Sequence, residues 1–247
     1  MNNVFHLPVS PAPGRCPCGA PSASEGPRGL CATCARKRED ALREWNARAE
    51  QTTREAMLNS AKLSIPEAFR WAFFVAPDLV ARVKRPEAIT EAKAALEASG
   101  VVLVGAAGAG KTSVACAMLA ELIRQAASGP PKDLRFAGSA RFIGAYWLAK
   151  ARAEHPLGDG EAPLVQLALG ASVLVLDDLG AEQSKNTALS EVIYERHAKG
   201  QRTIITTGFG YRVLQQRYGD GIARRIVEEG RTVVIRCGRE TAPESTT

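Results

Sequence analysis

Nothing in this chain of 247 residues approaches the roughly 18 consecutive apolar residues of a membrane-spanning helix. Residues 1–14 contain proline and lack the charged-then-apolar order of an export signal. Together these two absences predict a cytoplasmic protein with no membrane partner. No internal repeat is present, which sets solenoids and propellers aside. The sequence carries no recognisable lid or small-substrate pocket, and that speaks against a small-molecule kinase. Between Ala35 and Ala61 glycine and proline are missing altogether. That stretch, rich in Ala, Glu and Arg, carries Ala41, Leu42, Trp45, Ala49 and Met57 on roughly helical spacing, so a long, mostly polar helix is expected there.

Cysteine is sparse and unevenly placed. Four of the six fall at Cys16, Cys18, Cys31 and Cys34, while Cys116 and Cys237 stand alone. In a reducing compartment two close thiol pairs point to metal rather than to disulfides, and four thiolates suit tetrahedral Zn²⁺. Gly19 supplies the backbone freedom for a tight knuckle. The intervening 20–30 stretch has almost no apolar residues, so a metal is needed to order it. Free thiols on a flexible arm are the alternative.

What is present in strength is a phosphate-binding pattern. Val101 to Val104 reads as a short β-strand. Gly105-Ala106-Ala107-Gly108-Ala109-Gly110-Lys111-Thr112 follows, and Ser113 opens an apolar helix. Strand, glycine-rich turn and helix start in this order make a P-loop. The glycines let backbone N–H groups converge on phosphate, and the helix N-terminus adds its positive dipole end. Lys111 then reaches the β- and γ-phosphates of ATP, and the Thr112 hydroxyl holds Mg²⁺. A glycine- and alanine-rich loop before a core helix would leave Lys111 without a role.

A second signal lies downstream. Ser172 to Leu176 is a continuous apolar run, as expected of a buried parallel strand, and ends in Asp177-Asp178-Leu179-Gly180. Acidic residues at the C-terminal end of such a strand sit where open α/β sheets collect ligands. Asp177 is expected to hold Mg²⁺ and Asp178 to orient the attacking water; a plain strand-ending turn is the other reading.

The remaining segments alternate between strand and helix. Ser64, as a cap, and Pro66 are expected to start a short helix bearing Phe69, Trp71, Phe73 and Phe74, with these aromatics in the core. Helices are expected at 87–99, around 146–154, within 162–169, and at 187–199, 211–218 and 221–229. Strands are expected within 134–143, at 203–207 and at 232–236. The alternation calls for a parallel sheet covered by helices on both faces. The formal net charge is +6. Between Arg196 and Arg239 ten Lys or Arg face only Asp220, Glu228 and Glu229. A nucleic-acid surface, an inter-subunit phosphate sensor and a solvated basic face all fit that excess.

From Ile65 to Gly238 the chain resembles the AAA+ ATPases of the DnaC-like helicase-loader and IstB-like transposition-helper group. The resemblance rests on Ile65-Pro66-Glu67-Ala68-Phe69, the P-loop, Leu176-Asp177-Asp178-Leu179-Gly180, Glu195-Arg196-His197 with Arg202 to Thr207, and Gly219-Asp220 with Arg224-Arg225-Ile226. It implies an AAA+ P-loop fold over 62–238. Outside the region of resemblance, composition and cysteine spacing give a disordered tail (1–14), a four-cysteine module with its helix (15–61) and a polar tail (239–247). The resemblance also implies that Arg225, with Arg224 beside it, is an arginine finger reaching a neighbouring subunit's γ-phosphate across an ATP-bridged oligomer. Further implications are ATP hydrolysis, single-stranded DNA as a ligand and a replicative helicase as the partner. The surface after the second strand contacts single-stranded DNA in that group, which makes Phe142, Tyr146, Trp147, Lys150 and Arg152 candidates. Of these, Phe142 and Trp147 are expected in the core. The alternatives are a duplex-DNA helper of transposition and an ATP-dependent adaptor with little turnover. One departure stands out: where the group has an Asn after its fourth strand, this chain has Gly208. Slow hydrolysis is the expected consequence, unless Thr206 or Thr207 takes over.

Overall fold

The computed structural model describes residues 16, 18–20, 30–129, 139–156, 158–182, 187–228 and 232–238. The expected tails at 1–14 and 239–247, most of the 20–30 stretch and the start of the 134–143 strand lie outside them. The chain forms two compact units, Met1–Thr53 and Arg54–Thr247.

In the first unit, Gly19 takes φ +87° and closes a turn in which its N–H reaches Cys16 O at 2.8 Å. Helix α1 (Ala32–Leu63) begins directly after Cys31. Its length follows from the absence of glycine and proline, and exposed i,i+4 pairs such as Glu39–Arg43 and Glu44–Arg48 line it. The C-terminal part of α1 belongs to the second unit, where Arg54 donates to Ala127 O at 2.8 Å and Gly129 O at 3.1 Å.

The second unit is built on five parallel strands: β1 (Gly100–Val104), β2 (Arg141–Gly144), β3 (Val173–Leu179), β4 (Arg202–Thr207) and β5 (Thr232–Arg236). Their order across the sheet is β2-β3-β4-β1-β5. Successive side chains of a strand point to opposite faces, so Val101 and Leu103 join one core while Val102 and Val104 join the other. The first core takes in α2 (Pro77–Arg82), α3 (Glu87–Ala94) and α4 (Lys111–Ser128). The second takes in α5 (Ala145–Ala153), α6 (Pro163–Gly170), α7 (Thr187–Ala198), α8 (Tyr211–Tyr218) and α9 (Asp220–Ile226). Leu103, Leu119, Leu174 and Ile204 are wholly buried, each worth about 1.5–3 kcal/mol.

Several expectations need correction. Residues after Pro66 form only a 3-10 turn, Glu67–Phe69, whose capping position is Pro66 rather than Ser64. Trp71, Phe73 and Phe74 therefore lie beyond it, with Phe73 exposed while Phe69, Trp71 and Phe74 pack on the core. The helix expected at 87–99 stops at Ala94 and passes into a second 3-10 turn, Ala95–Glu97. Helix α2 had no expected counterpart. Trp147, expected in the core, is 59% exposed, whereas Phe142 packs against the core as expected.

Candidate nucleotide site and cysteine cluster

Residues 105–112 link the end of β1 to the start of α4. Gly108 and Gly110 adopt φ +70° and +91°, a region side-chain-bearing residues rarely enter. At Gly110 a Cβ would also approach Val83 to 2.9 Å, so the segment after α2 presses directly on the loop. Gly105 N–H donates to Thr207 O at 3.2 Å, tying the loop to the end of β4. Lys111 is only 8% exposed; its ammonium donates to Gly105 O at 2.7 Å and Ala106 O at 3.1 Å. A cleft of about 380 Å³ opens here, lined by Phe69, Arg82 and residues 108–113, Ser113 included.

Strand β3 brings Asp177 to the same place. Thr112 Oγ1 donates to Asp177 Oδ1 at 3.0 Å, joining the two sequence signals across 65 residues. Between β3 and β4 the register slips, with Leu176 opposite Ile205 and Leu179 opposite Thr207. This bulge holds Asp178 in a left-handed conformation, φ +57°, with its side chain exposed. Thr206, wholly buried on β4, spans the bulge: its hydroxyl donates to Asp177 Oδ1 at 2.7 Å and accepts the Asp178 N–H at 2.8 Å. Because β4 lies between β1 and β3, a residue at its end necessarily stands between loop and aspartates. Burial raises the Asp177 pKa above the ordinary carboxylate value; the Thr206 and Thr112 hydroxyls oppose it, and Asp178 adds to it. A hard oxygen pair of hydroxyl and carboxylate suits Mg²⁺, and a cradle of N–H groups suits phosphate.

Arg225, on α9, is not among the residues lining that cleft. Its guanidinium donates to Gly221 O at 2.7 Å and lies 4.4 Å from the centre of the Tyr194 ring. With Arg224, Tyr211 and His197 it borders a separate depression of about 480 Å³. The basic excess is less open than its count suggests. Arg196 is wholly buried and donates to Ala168 O, Ala171 O, Arg202 O and Thr203 Oγ1. Lys199, Arg202, Arg217 and Arg224 face Glu195, Glu97, Glu182 and Asp220. Arg231 and Arg239 lie outside the described residues.

After β2, Tyr146 and Trp147 stand at the surface, edge to face with centroids 5.1 Å apart, and Lys150 Nζ lies 5.5 Å from the Trp147 ring centre. Arg152 is engaged by Glu161 and Glu191, so it does not stand with them as an open cation.

In the first unit the Sγ atoms of Cys16, Cys18, Cys31 and Cys34 all lie within 4.8 Å of one another, and Cys18 and Cys31 approach to 3.5 Å. A tetrahedral Zn–S₄ centre has sulfur–sulfur edges of about 3.8 Å, so the cluster has the right dimensions for zinc. Backbone N–H groups at Cys18 and Cys31 favour the Cys16 thiolate and bring its pKa down to about 6.

A P-loop after β1 in a β5-β1-β4-β3-β2 parallel sheet, with the acidic end of β3 two strands away, defines an AAA+ P-loop fold. Solved structures of similar fold include the DnaC helicase loader, at 23% identity and TM-score 0.50 over 69% of this chain and 99% of that one. DnaI matches at 20% identity and TM-score 0.49, over 66% of this chain and 95% of that one. AMPPCP-bound DnaA from Aquifex aeolicus matches at 21% and 0.45, over 60% of this chain and 45% of that one. No curated protein matches. The chain belongs to the family of IstB-like ATP binding proteins, whose model matches residues 37–229. The cysteine cluster precedes the matched stretch. Among the described residues no helix is long and apolar enough to cross a membrane.

In the sequence Thr206 is one of two candidates to replace the missing Asn, and nothing there singles out Arg82, Glu182 or Tyr194. Thr206 carries a signal, since it is the last residue but one of a β-branched strand that ends just before Gly208. The others belong to no motif.

Proposed function

We propose that this protein is an ATP-hydrolysing helicase loader that binds single-stranded DNA and delivers a replicative helicase. The observation that carries the reading is the Asp177 carboxylate, reached from the P-loop helix by Thr112 and from β4 by Thr206. In this reading the N–H groups of residues 105–112 and the N-terminus of α4 gather the phosphates. Lys111 leaves the Gly105 and Ala106 carbonyls for phosphate oxygens. Thr112 and Asp177 hold Mg²⁺, which when bound neutralises charge developing on the transferred phosphoryl group. Asp178, exposed at the bulge, orients water, while Thr206 takes the place of the absent amide.

Arg225 acts in the neighbouring subunit's site. Its separation from its own chain's cleft supports that assignment, as does a surface position where Tyr194 presents it. ATP then bridges an oligomer. Tyr146 and Trp147 offer exposed rings with Lys150 beside them, a combination suited to stacking bases of single-stranded DNA. The zinc module and α1, with Leu42 and Trp45 exposed, serve as the helicase-binding arm. A duplex-DNA helper of transposition is the second reading, favoured by the match to the IstB-like family model.

Anisotropy of labelled single-stranded and duplex oligonucleotides, with ATP, ADP or no nucleotide at fixed salt, tests the reading. ATP-dependent preference for the single strand supports the loader, and the K111A variant should lose that dependence together with ATP affinity. Preference for duplex selects the transposition helper. No binding in any state leaves an ATP-dependent adaptor.

A further inference from the structure

Glu182 is a charged side chain with 1% exposure that no motif includes. It lies just past the bulge, beyond the last β3–β4 pair, Leu179 with Thr207. Its Oε2 accepts the Gly180 N–H at 3.0 Å, closing the turn that follows Asp178. Its Oε1 accepts Arg217 Nε–H at 3.3 Å and the Tyr218 hydroxyl. A Cβ on Gly180 would collide with the Phe209 ring, so this turn is also packed from below.

Arg217 and Tyr218 are the last residues but one and the last of α8. Gly219, at φ +84°, joins α8 to α9. Across that junction Tyr211 Oη and Gln215 Nε2 both donate to Asp220 Oδ1 at 3.1 Å. Five residues beyond Asp220 is Arg225. The turn holding Asp178 is thus tied through Glu182 to the end of α8, and α8 is tied in turn, through Tyr211 and Gln215, to the start of the helix carrying Arg225. A buried carboxylate cannot release its partners without a desolvation penalty, which makes it a stiff coupling between the two elements.

We propose that Glu182 is a positioning residue that transmits the nucleotide state at Asp177–Asp178 to α8 and α9, and so sets where Arg225 is presented to the next subunit. The proposal rests on the ATP-site reading above. In this proposal nucleotide at the loop shifts Asp178 out of the left-handed conformation it holds here, φ +57°, and Glu182 carries the difference outward.

The test compares wild type, Glu182→Gln and Tyr218→Phe in the full-length chain, with Mg²⁺ and a non-hydrolysable ATP analogue. Hydrogen exchange over residues 211–226 is read alongside analogue affinity, and kcat and KM for ATP are measured separately. The analogue should slow exchange over 211–226 in the wild type. In Glu182→Gln that effect should shrink about tenfold, in the range of coupling residues, with analogue affinity retained and kcat rather than KM reduced. Tyr218→Phe, which keeps the ring and its packing, should show the same change in weaker form and covers the case where Glu182→Gln fails to fold. An unchanged exchange response in both variants, or none in the wild type, overturns the proposal. A wild type that transmits the analogue signal but never hydrolyses ATP refutes the ATPase reading and leaves the coupling standing.

Discussion

Thr206 Oγ1 lies 2.7 Å from Asp177 Oδ1 and donates its proton to that carboxylate. The same oxygen accepts the Asp178 N–H, so a single hydroxyl sets both aspartates. Thr206→Val keeps the shape and removes the hydroxyl. A hydrogen bond to a charged group contributes about 1.5–3 kcal/mol, so turnover should fall about 10- to 100-fold while ATP affinity holds. Gly208→Asn should recover part of that turnover, because it returns an amide to the place after β4 where the resembled group carries one. Steady-state phosphate release checks both variants.

Asp177 should cost the nucleotide-free protein stability. Its folded pKa is raised, chiefly by burial, so the folded state holds the proton more tightly than the unfolded one. Stability contributed by this group is therefore full at low pH and is lost as pH rises from about 4 through the folded pKa, and the deficit persists at neutral pH. Asp177→Asn preserves the acceptor for Thr112 and Thr206 without the charge. Its nucleotide-free form should melt higher than wild type at pH 7, by about 2–4 °C per kcal/mol recovered, with the gap closing toward acid. Mg²⁺-dependent ATP affinity should fall in the same variant. Calorimetry across pH, paired with nucleotide titration, reads both.

Arg225→Ala should bind ATP normally and turn it over poorly. An arginine acting on a neighbour's phosphate is worth about 10³–10⁵ in rate. Mixing Arg225→Ala with Lys111→Ala subunits should recover activity at the mixed interfaces, where an intact P-loop meets an intact arginine. Full activity of Arg225→Ala alone would refute an inter-subunit site.

The cysteine cluster should bind a single zinc ion per chain, lost in Cys31→Ser. Chelation should leave the melting of the ATP-binding unit unchanged, because the four cysteines lie within Met1–Thr53. Elemental analysis of the native chain and the variant decides; metal-free native protein would refute the assignment.

The P-loop and the β3 aspartates were legible because phosphate chemistry demands glycine, lysine, hydroxyl and carboxylate in consecutive or near-consecutive places. The buried strands were legible because apolar runs have few other homes in a chain of this composition. Helix ends near 64–75 and 87–99 were not. There the chain packs against the core through Phe69, Trp71 and Phe74, and local propensity yields to that packing. Trp147 misled for the opposite reason: an aromatic near an apolar strand is ordinarily buried, yet here the start of α5 turns it outward.

By itself, the sequence determined that the chain holds a P-loop, an acidic strand end and a four-cysteine cluster, since each is a local pattern set by residue type and spacing. Only the tertiary structure decided that β4 would lie between β1 and β3. That placement brings Thr206 to both aspartates, leaves Arg225 outside its own cleft and buries Glu182 between two distant elements. Such relations depend on strand order and register, which the chain settles only when both faces of the sheet are buried together.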